Sequence, residues 1–451
     1  MGTGLFFCGA LLTSGVFYLR RVGLHFGLAS VLLGLLFLFH GPAYLYYTRV
    51  WGPETEFYWT ILQAAPTADP IGTLDVALGL TFLGVCAGIL LADSLCGAGP
   101  EQFNQALARW SGSEVKIPAA MPARIRTIAW LGLATLVTFA VLDNQVSKVV
   151  AYALSDASEF EKIALRREQG GSSLYLFNLL IGNVLPFIGF SLLALYHSSA
   201  RMPMLLVSFV GMLLLAKLAT LSKAPPAIFL LQLLVLNALR SSLQLSRGMI
   251  TLLAAAAAAL FVVMSIVAIP GLGGIEEALD FLFYRAFMIV NEGLMEYFAA
   301  IPHLIPHTQG LQAGWVAALL ETVQQEPTYW IVAELHRGAP GSTSTVMFMG
   351  DAWADFAWPG VVLASVGTGL LVRWLDIQLI LRRGKTAATM AGLALGHYGV
   401  FVAFSTALQT ALLTGGLLFV LPLVALVSGR PEPVIENTGD ATNTQKAADV
   451  T

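Results

Sequence analysis

The sequence predicts an all-α protein that crosses a membrane about eleven times and carries one large loop on its outer side. Three observations predict it. Hydrophobic residues make up 57% of the 451 positions and charged residues only 11%, less than half of the ~25% usual in soluble domains. Apolar runs near the ~20 residues that span a bilayer recur along the whole chain. Positive charge is sorted between alternate connecting segments. So few charges could not cover the surface of a soluble chain of this length, which excludes a cytosolic enzyme and a disordered protein. The same scarcity excludes a nucleic-acid binder that relies on a basic face, while the net charge of −3 carries little information by itself.

In chain order the apolar runs fall at about 4–19, 22–46, 73–95, 125–145, 173–196, 203–221, 225–239, 249–269, 346–372, 387–405 and 408–428. The first and seventh are the shortest. The first run precedes Arg20-Arg21, the reverse of a cleavable signal, so it is read as a retained helix with its N-terminus outside. That orientation places Arg20, Arg21, Arg109, Lys116, Arg124, Arg126, Arg201, Arg240, Arg247, Arg373, Arg382, Arg383, Lys385, Arg430 and Lys446 on the cytoplasmic side. They are fifteen of the 24 cations, as the positive-inside rule requires. The polar, aperiodic stretch after Ser428 predicts a disordered cytoplasmic tail over 429–451, leaving 1–428 as one membrane domain. Gly84/Gly88 and Gly23/Gly27 have small-xxx-small spacing, and the alanine run 254–259 would permit close helix packing. Cys8, Cys86 and Cys96 suggest no disulfide framework.

The nine remaining cations mostly fall in outer loops or at outer helix ends. The outer loops are 47–72, 146–172 and 270–345. The last, about 75 residues, is long enough to carry function, with amphipathic stretches near 275–300 and 313–336 that could lie at the membrane surface. Lys223, in Ser222-Lys223-Ala224-Pro225-Pro226, either snorkels to the headgroups or offers a point charge to a lipid phosphate. Arg166-Arg167 either pair with the acidic stretch before them or grip a diphosphate through bidentate guanidinium contacts. Arg285, in an otherwise apolar helix, needs an ion-pair partner such as Asp280, Glu292 or Glu296, unless a substrate anion supplies one.

Asp351 and Asp355 are spaced i, i+4, which puts both on one helix face. Close carboxylates push one pKa upward, suiting a general base for a sugar hydroxyl. Trp353 and Trp358 could stack on sugars or simply mark the membrane interface. His303 and His307 share the same spacing, but Pro302 and Pro306 argue against a regular helix and no metalloprotease motif is present. No metal is expected there. The two histidines, with His336 and Arg337, remain acid–base or substrate-binding candidates. There is no Walker loop, nucleophile elbow, haem motif or dinucleotide fingerprint, so no cofactor is expected and a substrate would arrive already activated.

Over roughly 150–380 the order of these features resembles the Wzy-type family of O-antigen and oligosaccharide repeat-unit polymerases. The resemblance runs from basic Arg166-Arg167, through Ser222-Lys223-Ala224-Pro225 and the aromatic Tyr284-Arg285-Ala286-Phe287, to a motif of the form Gly-Glu-x-Tyr-x-Asn-Phe-Gly-x-x-Gly. That motif here reads Gly350-Asp351-Ala352-Trp353-Ala354-Asp355-Phe356-Ala357-Trp358-Pro359-Gly360. It departs by Asp for Glu, Trp for Tyr, Asp for Asn and Ala for Gly. The resemblance implies an integral-membrane glycosyltransferase of the GT-C class in the bacterial inner membrane. Its substrate would be an oligosaccharide carried on undecaprenyl diphosphate among the membrane lipids, with a chain-length regulator and a flippase as pathway partners. Lys223, Arg285, Arg337 and the pair Arg166-Arg167 would bind diphosphate or substrate. Asp351 or Asp355, or else His303, His307 or His336, would orient or deprotonate the acceptor hydroxyl, with Trp353 among the substrate-binding residues. An O-antigen ligase shares this architecture. A transporter would instead place charge at the bilayer midplane, where Lys217 is the possible exception.

Overall fold

The computed structural model describes residues 2–64, 69–153, 175–196, 203–221, 224–268, 274–338 and 343–428. The described elements are helices, joined by turns and two isolated β-bridges. Eight are long and apolar enough to cross a bilayer: Gly2–Val22, Leu28–Glu54, Pro70–Cys96, Met121–Leu142, Leu176–Tyr196, Ala224–Ser241, Phe348–Arg383 and Leu408–Ser428. The chain is therefore a polytopic membrane protein. Three further apolar helices, Met204–Leu218, Gly248–Val263 and Ala387–Ala403, are shorter. Each of these segments overlies one of the eleven apolar runs. The first and seventh runs, shortest as sequence, reach spanning length because their helices continue into the flanks that carry Arg20-Arg21 and Arg240.

Local chemistry sets the boundaries. Asp69 caps the Pro70–Cys96 helix by accepting from the Gly72 amide at 2.9 Å, satisfying one of its orphan donors. Pro70 at the first position costs no hydrogen bond. The same helix ends at Gly97 in the left-handed conformation, φ 63°. Thr386 and Thr389 form a reciprocal capping pair that opens Ala387–Ala403.

The centre of the bundle is the long contact between Pro70–Cys96 and Phe348–Asp376. Gly84 faces Ser365, a Cβ on Gly88 would run into the Val366 carbonyl, and one on Gly369 into the Val85 carbonyl. The glycines let the two backbones touch, as the 84/88 spacing suggests. Gly88→Val should therefore lower thermal stability by about 2 kcal/mol or more through overpacking. Gly9→Ala is the control, because nothing lies within 4 Å of the added methyl. An unchanged melting temperature for Gly88→Val in a detergent unfolding assay would contradict this packing. Gly23 and Gly27, in contrast, lie in the turn after the first helix, with Gly23 at φ 81° and the Gly27 amide donating to His25 Nδ1 at 2.8 Å. The alanines 254–259 are exposed or half-buried, so their small size is not used for close packing.

One end of the bundle, which carries Arg20, Arg21, Arg382 and Arg383, is tied together by buried polar contacts. Arg373 was counted above with a connecting segment, but it lies inside Phe348–Asp376 and is 1% exposed. Its Nε donates to Asp93 Oδ1 at 2.6 Å, and its guanidinium carbon is 3.9 Å from the centre of the Phe103 ring. Arg21 reaches Asp93 as well, at 3.1 Å. Asp376 accepts from the Leu28 and Ala29 amides at 2.7 and 3.0 Å, capping the helix that follows Gly27. Lys385 is also buried, donating to the Trp110 and Ser113 carbonyls.

The opposite end carries the described parts of the long outer segment, residues 274–338 and 343–345. Ile275–Phe283, a π-helical turn at Tyr284–Met288, and Ile289–Ala300 form one continuous run. Only its first part has an exposed side. From Asn291 to Ala300 every residue is buried, against Pro70–Cys96, Glu56–Ala64 and Thr328–Arg337. The expected amphipathic surface helix over 275–300 is thus, in its second half, a core element. The second expected stretch divides into Gly314–Leu319 and Thr328–Arg337.

Candidate functional site

The Phe348–Asp376 helix is broken near its start. Phe356 (φ −133°, ψ 17°) and Ala357 (φ 53°, ψ −140°) leave helical geometry just ahead of Pro359. Proline removes an amide and disfavours helical backbone at the preceding residue. Gly360 lies so close to the Ala352 carbonyl that a Cβ would collide with it. Residues 348–355 therefore form a separate short helix, set at the mouth of the long apolar one. Ala357 holds a conformation that costs a non-glycine residue about 1–3 kcal/mol. Ala357→Gly should raise the melting temperature, corresponding to about 1 kcal/mol after glycine's own entropic cost. A lower melting temperature would contradict the strained geometry.

Asp351 and Asp355 do lie on that short helix, but their surroundings divide them. Asp355 Oδ1 accepts from Thr308 Oγ1, from the Gly310 amide at 3.2 Å and from Gln312 Nε2 at 2.9 Å. The Thr308 and Gln309 amides also donate to the Ala354 and Asp355 carbonyls at 3.0 and 3.1 Å. Asp355 is thus the anchor of the 308–312 turn. Asp351, 5% exposed, is held more loosely: Tyr297 Oη donates to Oδ1 at 3.4 Å, and the Gln312 side chain also interacts with the carboxylate. Its carboxylate lines a cavity of about 640 Å³.

That cavity opens between the 297–346 region and the end of the Ala387–Ala403 helix. Tyr297, Gln312, Gln324 and Tyr329 form one side, with Ser344 and its neighbours Thr343 and Thr345. Ser405, Thr406, Gln409 and Thr410 form the other. Burial and then the negative charge of Asp351 raise the Tyr297 phenol well above its usual pKa, so it stays protonated and able to donate. Gln312 is doubly used: its amide nitrogen reaches Asp355 and its oxygen accepts from the Thr328 amide and hydroxyl at 3.3 and 3.1 Å.

Behind the cavity wall stands a second charged group. Glu296, on the 289–300 helix, accepts from Ser344 Oγ and from Arg337 Nε at 2.9 Å. Arg337 also meets Glu292 at 3.2 Å, and Tyr284 Oη donates to Glu292 at 3.1 Å. Burial pushes Glu292 up to about 7, with Arg337 pulling against it and Glu296 adding to it. Burial likewise raises Glu296 against the pull of Arg337. Burial works against the Arg337 cation, but Glu296 and Glu292 outweigh it and leave its pKa raised. Arg337, expected at a substrate, is therefore occupied by two glutamates and supports the wall from behind.

The other sequence-derived candidates fall apart spatially. His307 Nδ1 faces the Trp353 and Ala354 carbonyls at 3.0 and 3.3 Å, so it carries the proton there and closes the end of the short helix. His303 is exposed in a turn. His336 is buried with Nε2 unpartnered, and burial lowers its pKa. Trp353, expected to stack on a sugar, is 5% exposed. It packs flat on Phe298 at 4.7 Å, edge-on to Trp358 at 4.9 Å, and donates to the Ile301 carbonyl at 3.1 Å. Its ring belongs to the core. Arg285 is exposed, 5.8 Å from the Phe281 ring, and pairs with none of the described carboxylates. Two turn-mates, Phe287 and Met288, with Phe283, line a 740 Å³ groove whose wall is almost wholly apolar and includes Leu24 and, on the second helix, residues from Gly34 to Tyr46. Arg166, Arg167 and Lys223, like the tail 429–451, lie outside the described residues.

Several site residues escaped the sequence reading. Glu292/Glu296 repeat the i, i+4 carboxylate spacing noted for Asp351/Asp355, and this signal was read only as a partner for Arg285. The polar interruption Ser405-Thr406 to Gln409-Thr410, between two apolar runs, was a second available signal. Tyr297 and Gln312 had none, because only the fold brings them to the carboxylates. No protein-family model, curated protein or solved structure matches the chain.

Proposed function

We propose that the chain is a membrane glycosyltransferase of the polysaccharide-polymerase kind. It moves a glycan from its lipid diphosphate onto a fresh lipid-linked oligosaccharide at the bilayer surface. The observation that carries this reading is the cavity. It sets one carboxylate, Asp351, among hydroxyls and amides at the membrane end of a long apolar helix. Such a lining suits a polyhydroxylated ligand, and the carboxylate suits proton removal from an acceptor hydroxyl. The acceptor oxygen then attacks the anomeric carbon as the bond to the diphosphate oxygen breaks, and the lipid diphosphate leaves with the electron pair. No nucleotide takes part, which suits the absence of nucleotide motifs.

The motif resemblance gains support at one further position. Its glycine falls at Ala357, where the backbone has φ 53°, a conformation that favours glycine. The apolar groove offers an isoprenoid chain a lipid-facing bed, and Arg285, paired with none of the described carboxylates, is suited to the leaving diphosphate. In this reading all eleven apolar helices span the membrane in a GT-C-like arrangement. The cavity end and N-terminus face the periplasm of a bacterial inner membrane, and the C-terminus lies in the cytoplasm. Arg285→Ala and Lys223→Ala, expressed in cells lacking the native protein, should each reduce the product to single-repeat glycolipid on a gel. A full polysaccharide ladder from both variants would overturn the diphosphate assignment.

A further inference from the structure

We infer that the cavity selects an acceptor whose terminal sugar is uncharged, and discriminates against sugars bearing a carboxylate. The inference rests on the transferase reading and adds the substrate class of its acceptor site. Among the described residues that line the cavity, Asp351 is the one carboxylate, and there is no lysine, arginine or histidine. Elsewhere the polar lining is neutral: hydroxyls of Ser, Thr and Tyr and amides of Gln. Such groups can donate to and accept from sugar hydroxyls, but none provides a cation for a uronate.

The groups behind the wall reinforce the sign of the field. Asp355 sits one helical turn from Asp351, and Glu296 accepts from the hydroxyl of Ser344, a residue of the cavity lining. The Arg337 cation behind that wall is engaged by Glu296 and Glu292 at 2.8 and 3.2 Å. A ligand carboxylate would therefore lose its hydration, meet Asp351 and find no counter-charge. Like charges brought together in a partly dry site repel strongly. Repulsion of a wrong ligand is as effective a route to specificity as attraction of the right one.

The test uses the purified full chain in nanodiscs and two methyl disaccharides, identical except that the terminal ring is a hexose or the corresponding hexuronate. Binding is measured by calorimetry and located by saturation-transfer NMR. The neutral disaccharide should bind at least about tenfold more tightly, a gap of about 1.4 kcal/mol. Asp351→Asn should narrow that gap. Gln409→Lys, which adds a cation to the opposite wall without touching Asp351, should close or reverse it. Equal or tighter binding of the uronate to the unaltered protein would overturn the inference. So would a gap that Gln409→Lys leaves unchanged. In either case, polymer formation from a lipid-linked unit in the same nanodiscs would leave the transferase reading standing. Absence of binding by both disaccharides, together with absence of polymer, would overturn both.

Discussion

Asp351→Asn should lower the rate of glycan transfer at least about 100-fold, the lower end of what a positioned proton acceptor supplies, with little change in melting temperature. Asn keeps the size of the side chain and can still accept the Tyr297 hydroxyl, so the packing that buries residue 351 is preserved. Asp355→Asn should give a different result. Three donors converge on one oxygen of Asp355, and hydrogen bonds to a charged acceptor contribute about 1.5–3 kcal/mol each. Losing that charge should loosen the 308–312 turn and lower the melting temperature, with activity falling through misplacement of Gln312. Measured side by side, one variant loses rate at constant stability and the other loses stability first. Two variants with the same profile would contradict the division of roles between these carboxylates.

Arg337→Ala should destabilise the protein by about 3 kcal/mol or more at pH 8, because removal of one partner strands buried charge. Glu292 is 4% exposed and Glu296 fully buried, whereas Arg337 retains 21% side-chain exposure, which keeps the figure at the low end. The pH dependence has a definite sign. Glu292 has a folded pKa of about 7 against 4.5 unperturbed, so between those values the folded state holds more protons than the unfolded state. Stability from this group is full below about pH 4.5 and is lost as pH rises through about 7. Without the Arg337 charge both glutamates shift further upward and the loss steepens. The variant should therefore be least impaired near pH 5 and most impaired near pH 8 in thermal unfolding. A penalty independent of pH would show that the arginine acts through packing against Phe57 rather than through its charge.

Membrane embedding and helix positions were legible because each apolar helix must satisfy its backbone bonds internally and so announces itself as a long run. Gly84 and Gly88 were legible for the same local reason, since a four-residue spacing is a helix face. Arg373 was misplaced because local sequence shows a basic residue near a helix end and cannot show Asp93 on another helix. The second half of 275–300 misled in the opposite direction: its Glu292 and Glu296 look like a solvated face, and Arg337, with the Tyr284 and Ser344 hydroxyls, makes their burial tolerable. The i, i+4 rule put Asp351 and Asp355 together correctly. It could not distinguish them, because Thr308 and Gln312 return from a loop more than forty residues earlier. Trp353 read as a sugar-stacking or interfacial ring for want of any sign that Phe298 covers it.

The most direct test of the central claim is transfer itself. The full chain, reconstituted in liposomes with a synthetic undecaprenyl-diphosphate-linked oligosaccharide and no nucleotide, should convert single units into a ladder of longer lipid-linked glycans. The same liposomes with Asp351→Asn protein should retain single units. A ladder of equal length from Asp351→Asn, or unchanged single units with the natural protein across a series of repeat-unit structures, would contradict the account.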